Sequence, residues 1–242
     1  MKVRMYNVGF GDCFCLRDRK KSLLVDFGTN NSRIEGRPRR EIFDVIISDL
    51  STIKSKNLLL THFHMDHLSG LLYMMKKKDI SVDFGKIYLP DVFSKKEMSR
   101  TLVLLLLADL LKESGLPSRQ VSLFALVDAL LENKQNVELL SRGKLFENKY
   151  QALWPDTDVI RKETDEVYNR ICEDGKFKEV MDVLLEFAEK LRLIVWSMTA
   201  EGNKPAETVE KETDLTASEL TEQPEVRQKI IRAYVYLSLI HI

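Results

Sequence analysis

Three of the four histidines in this 242-residue chain lie within six positions, in the stretch "THFHMDH" at residues 61–67. The stretch follows the apolar run "NLLL" at 57–60, which fits a buried strand that feeds a loop. Residues two apart on an extended segment project to the same side, so we expect His62 and His64 to lie together. Asp66 and His67 come next, where a helix should begin. Imidazole and carboxylate are ligand types that suit zinc, iron and manganese, so the sequence predicts a metal centre here.

Patterning around the cluster is that of an α/β protein. Alternating or short apolar runs predict strands at 2–8, 13–18, 21–28, 56–63, 85–91 and within 136–155. The turn "GFGD" at 9–12 makes the first three of these an antiparallel meander. Helical spacing of apolar residues predicts helices at 40–50, 68–79, 95–114, 118–134, 159–196 and about 226–236.

The cluster resembles the signature of the metallo-β-lactamase superfamily, His-x-His-x-Asp-His. The likeness covers residues 1–92, because "GFGD" at 9–12, "LLVDFGT" at 23–29 and "HLSGLL" at 67–72 resemble the superfamily's turn, its Asp-x-Gly strand end and its helix start. The Gly-Asp turn looks most like the hydrolase domains related to bacterial DNA-uptake (competence) proteins. The resemblance implies the N-terminal part of an αββα sandwich, here with a helical insertion.

The resemblance also implies ligands for metal. His62 and His64 match ligands of a first metal, and Asp66 and His67 match ligands of a second. Asp66 also matches the residue that orients the metal-bound water, which makes it the catalytic candidate. The cofactor expected from the resemblance is zinc, with two ions in the complete protein, and manganese or iron as alternatives.

Two further aspartates match supporting positions. Asp26 matches a residue that supports the ligand loop, and Asp12 lies on a hairpin that often borders the site. For both, the alternative interpretation is an aspartate that caps a turn. Cys13 and Cys15 have metal-binding side chains, but their place in an apolar strand favours packing in the core.

A metal-dependent hydrolase is the function that this signature predicts. Metal-activated water could attack an ester, a phosphodiester, a thioester or a lactone, and the cluster does not choose among them. One alternative is a non-catalytic module that binds a partner through a degenerate form of the same scaffold. A second alternative is a nuclease.

The downstream sequence departs from the superfamily pattern. The superfamily completes its site with a bridging aspartate and a later histidine, yet no histidine lies between His67 and His241. We expect a metallo-β-lactamase-like domain at 1–155 with its insertion at about 95–135, then a helical segment at 156–236 containing a polar linker at about 199–225. The last residues, "LSLIHI" at 237–242, resemble the translation of a sequencing adaptor. The sequence therefore predicts a truncated chain that binds metal weakly and hydrolyses substrates inefficiently.

Composition narrows the setting. Lysine plus arginine and aspartate plus glutamate number 37 each, so no net charge attracts nucleic acid or an anionic membrane. The three cysteines suggest no disulfide framework, and no signal peptide is evident at the N-terminus. The run "LVLLLLADLL" at 102–111 is too short for a membrane span. We expect a cytoplasmic protein without a membrane partner, whose substrate and oligomeric state stay open.

Overall fold

The computed structural model describes residues 1–18, 21–77, 83–113, 123–173 and 175–200. The strands are β1 (Lys2–Met5), β2 (Phe14–Asp18), β3 (Lys21–Val25), β4 (Arg33–Ile34), β5 (Arg37–Pro38), β6 (Ser55–Leu59), β7 (Ile87–Pro90), β8 (Val137–Leu140), β9 (Leu145–Phe146) and β10 (Tyr150–Gln151). The helices are α1 (Arg39–Ser51), α2 (Met65–Met75), α3 (Ser99–Glu113), α4 (Leu123–Glu132), α5 (Thr157–Glu173) and α6 (Gly175–Ser197). Two compact units emerge: Met1–Pro90 with Ala129–Glu138, and Asp91–Asp128 with the described residues from Leu139 onward.

A six-stranded mixed sheet organises the first unit, in the order β1-β2-β3-β6-β7-β8. The first three strands form the predicted antiparallel meander, whereas β3 pairs with β6, and β6 with β7, in parallel. Helices α1 and α2 make the two parallel crossovers and contact each other. Parallel neighbours end at the same edge of a sheet, so the loops after β3 and β6 meet there.

The two faces of this sheet differ in burial. On one face, Cys15, Leu24 and Leu58 are completely buried. Helix α1 lies on this side, because its Asp49 accepts hydrogen bonds from Tyr6 and Arg17. The opposite face is more open at the edge strand, where β1 exposes 61% of Val3 and 69% of Met5. Apolar surface is therefore exposed on the meander.

The second unit is mainly helical. Helix α3 packs against α5 and α6, and α5 also contacts α6. The apolar run of α3 faces inward, since Leu102, Val103 and Leu106 are completely buried. An ion pair of 2.8 Å between Arg100 and Asp165 ties α3 to α5.

The predicted α/β class is confirmed, and most elements fall where their patterns indicated. The helical stretch at 159–196 is in fact two helices, α5 and α6, since Glu173 ends one and Gly175 begins the next. Of the remaining predictions, the linker at 199–225 lies outside the described residues from 201 onward, and the helix at 226–236 and the tail at 237–242 lie wholly outside them. The domain boundaries proposed from the sequence stay a prediction. Within the described ranges, no helix combines the length and apolarity that a membrane crossing requires.

Two aliphatic residues on α1 test how the sheet is covered. Ile47 is completely buried, whereas Val45 is 57% exposed. We expect Ile47→Ala to lower the free energy of unfolding by about 2–5 kcal/mol, because it leaves a cavity under the sheet. Val45→Ala on the same helix should change it by less than about 0.5 kcal/mol. Chemical denaturation followed by circular dichroism measures both, and equal effects would contradict this packing.

Candidate metal centre

Asp26 lies immediately after β3 and points toward the end of β6. Its backbone has a positive φ of 54°, an unusual conformation that aspartate tolerates better than most residues. The amide of Asp26 donates a hydrogen bond of 2.8 Å to the carbonyl of Leu59 on β6. The residue is only 3% exposed, so its carboxylate must find partners inside the protein.

Three hydrogen bonds satisfy this buried carboxylate. Oδ1 accepts one from the Thr61 amide at 2.8 Å, and Oδ2 accepts one from the Thr61 hydroxyl at 2.7 Å. Oδ2 also lies 2.9 Å from Nδ1 of His67. Asp26 therefore joins the end of β3 to the histidine loop and to the first turn of α2.

The ligand candidates are placed by the transition from β6 to α2. His64 occupies the N-cap position with extended backbone, and α2 begins at Met65. Asp66 and His67 consequently sit in the first helical turn, where the helix dipole favours the negative charge of Asp66. The sequence placed the start of this helix at Asp66 and His67, with its apolar pattern from residue 68, and the structure begins it at Met65.

Two glycines let three backbone segments approach closely. A Cβ on Gly28 would lie 2.6 Å from the Asp66 carbonyl carbon, and one on Gly11 would lie 2.7 Å from the Asp66 carbonyl oxygen. Asp12 donates from its amide to that same oxygen at 3.2 Å and accepts from the Gly28 amide at 3.2 Å. The "GFGD" turn is thus bonded directly to the ligand loop.

The side chains converge as a metal site requires. One possible ligand atom from each of His62, Asp66 and His67 lies within 4.8 Å of the others. The ring of His64 is near this group, with its centroid 4.7 Å from that of His62. This mixture of imidazole and carboxylate donors fits a divalent cation. His64 is not one of the three residues whose ligand atoms lie within 4.8 Å of one another.

Asp12 and Asp26 form a second possible group with His67, again within 4.8 Å. Asp12 is the more open of the two, with 44% of its side chain exposed, and its Oδ2 lies 3.7 Å from Nδ1 of His67. Asp26 is buried and fully hydrogen-bonded, which suits a supporting residue better than a ligand. Cys13 and Cys15 are buried in the core, where burial raises the pKa of the Cys13 thiol.

The histidines differ in their electrostatic surroundings. Burial lowers the pKa of His62, and the neighbouring His67 and His64 lower it further. Burial also acts to lower the pKa of His67, but the hydrogen bond to Asp26 and the surrounding carboxylates outweigh it, so this pKa is raised. The lowered pKa of His62 favours the neutral imidazole, the form that binds metal.

Comparison with known proteins agrees with the signature. Residues 6–91 match the model of the metallo-beta-lactamase superfamily. This match confirms the resemblance seen in the sequence and the α/β fold that it implied. Superfamily members generally bind metal ions, and the His and Asp side chains of the cluster could hold one.

One curated relative extends this comparison. The chain is 32% identical over 77 residues to Endoribonuclease YSH1 of Mycosarcoma maydis. The aligned stretch is 32% of this chain and 8% of that protein, so the likeness is confined to a small part of the relative. No match was found among solved structures.

Thr61 is the functional candidate that the sequence interpretation missed. It precedes the first histidine, and its amide and hydroxyl both bind Asp26. A hydroxyl residue next to a run of ligands was the available signal.

Gly28→Ala tests the close backbone approach behind the ligands. The added Cβ must push the Asp66 segment away. We therefore expect the free energy of unfolding to fall by about 1–3 kcal/mol and the zinc affinity to fall about tenfold or more. Denaturation and zinc titration measure the two effects. Gly175→Ala is the matched control, because a Cβ there meets nothing within 4 Å. A Gly28 variant that behaves like the control would show that the approach is not needed.

Proposed function

We propose that this chain carries the metal centre of a metal-dependent hydrolase. The observation that carries the proposal is the convergence of His62, Asp66 and His67 on one point, beside a buried Asp26 that holds His67. The match of residues 6–91 to the metallo-β-lactamase superfamily supports the same reaction class. The proposal includes the roles that the signature gives to His62, His64, Asp66 and His67 as metal ligands.

Zinc is the metal we propose, and the superfamily pattern assigns His62 and His64 to a first ion and Asp66 and His67 to a second. When bound, zinc supplies a Lewis acid that makes water reactive near neutral pH. The imidazoles of His62 and His64 would donate nitrogen lone pairs, and the Asp66 carboxylate would orient water and accept its proton. A hydrogen bond from Nδ1–H of His67 to Asp26 would leave Nε2 of His67 available for the metal.

Cleavage of RNA is a second candidate, narrower than the first. It is favoured by the likeness of 77 residues to an endoribonuclease. A phosphodiester is one of the bonds that a metal-activated water can attack. The neutral charge balance of the chain gives no independent support for a nucleic-acid substrate.

The histidines of the cluster test the metal centre. After equilibrium dialysis against dilute zinc, which also detects weak binding, His62→Ala and His64→Ala should each have lost the bound zinc, because each removes a ligand. His241→Ala is the matched control, the remaining histidine of the sequence, and should retain zinc like the wild type. Elemental analysis of the purified proteins measures the bound metal. Retention that is unchanged in both cluster variants would refute the centre.

Hydrolysis is tested separately from binding. We expect slow, chelator-sensitive turnover of one substrate among a phosphodiester, a thioester and a lactone, since the proposed ligands all come from residues 62–67. Asp66→Asn should abolish this turnover, because its side chain can no longer accept a proton. Tight zinc binding without any turnover would instead favour the non-catalytic binding module.

A further inference from the structure

The hydroxyl of Thr61 lies between two groups of the candidate metal centre. Its Oγ1 is 2.7 Å from Oδ2 of Asp26 and 3.0 Å from Nδ1 of His62. The amide of the same residue is bound to Oδ1 of Asp26. Backbone and side chain are therefore both fixed on one carboxylate, and the β-branched side chain has few other rotamers available.

The order of donors and acceptors indicates where the protons lie. An ionised carboxylate only accepts hydrogen bonds, so the single hydroxyl proton of Thr61 is given to Asp26. What Thr61 offers to His62 is then an oxygen lone pair. The facing nitrogen of His62 must carry the proton, because two lone pairs would repel each other. His62 is thus held as the Nδ1–H tautomer, with the lone pair on Nε2.

The same carboxylate acts directly on His67. Oδ2 of Asp26 faces Nδ1 of His67 at 2.9 Å, which selects the Nδ1–H tautomer there as well. The imidazole rings of His62 and His67 are in contact, with centroids 3.7 Å apart and planes tilted by 50°. One buried acid therefore sets the tautomer of two rings, His67 by contact and His62 through Thr61.

We propose that Thr61 is a positioning residue: Asp26 orients its hydroxyl, the hydroxyl fixes the tautomer of His62, and Nε2 of His62 is thereby presented to a metal ion. The inference rests on the proposed metal centre, but the tautomer can be measured without metal. Partners that hydrogen-bond the second nitrogen of a ligating histidine commonly change metal affinity by about 10–100-fold. A residue that only stabilises the turn would affect folding and leave the tautomer of His62 unchanged.

The test is a long-range ¹H–¹⁵N correlation spectrum of the histidine side chains in the zinc-free full chain, recorded where both rings are neutral. Wild type and Thr61→Ser should show Nδ1–H at His62, because both keep the hydroxyl. Thr61→Val should shift His62 toward Nε2–H, whereas His67 should keep Nδ1–H as an internal control. Thr61→Ala provides a second variant without the hydroxyl, should the valine perturb folding.

Zinc titration of the same proteins supplies a second readout. We expect Thr61→Val and Thr61→Ala to bind zinc about 10–100-fold more weakly than wild type, and Thr61→Ser to bind within a few-fold of it. An unchanged His62 tautomer in the hydroxyl-free variants, or unchanged zinc affinity, would overturn this role of Thr61. If wild type itself binds no zinc, the proposed metal centre fails, while the tautomer spectra still decide whether Thr61 sets the ring.

Discussion

The buried carboxylate of Asp26 is the interaction on which the candidate metal centre depends. Its two oxygens receive hydrogen bonds from Thr61 and His67, which belong to the end of β6 and the start of α2. Because the acceptor is charged and almost fully buried, each partner lost would leave desolvation uncompensated. This makes the orientation of the neighbouring imidazoles a consequence of folding, established before any metal arrives.

Backbone packing restricts the same region. The positive φ of Asp26 costs about 1–3 kcal/mol in general, which the hydrogen bond from its amide to the Leu59 carbonyl and the side-chain hydrogen bonds offset. Gly11 and Gly28 then let the first hairpin and the β3 loop touch the Asp66 segment without side chains between them. Such contacts leave the ligand loop little freedom to move, so the candidate ligand side chains are held in one arrangement.

Part of this arrangement could be predicted from the sequence, because residue spacing places the strands and the histidine cluster, while the resemblance to the superfamily supplied the roles of the side chains. Alternating strands place the meander, and the His-x-His-x-Asp-His run after an apolar strand places its side chains at the sheet edge. The role of Thr61 could not be derived, since it depends on a contact with Asp26, which is 35 positions away in sequence. The division between α5 and α6 was also missed, because apolar spacing continues through Gly175 and masks the interruption.

Anomalous diffraction at the zinc edge, from crystals of this chain soaked in zinc, tests the central claim most directly. Our account predicts a peak within the cluster, about 2.0–2.1 Å from Nε2 of His62 or His67, with Nδ1 of the two rings still facing Thr61 and Asp26. A peak bonded to Nδ1 of either ring would contradict the orienting role of Asp26. Absence of a peak at the cluster, with zinc bound elsewhere on the chain, would contradict the metal centre itself.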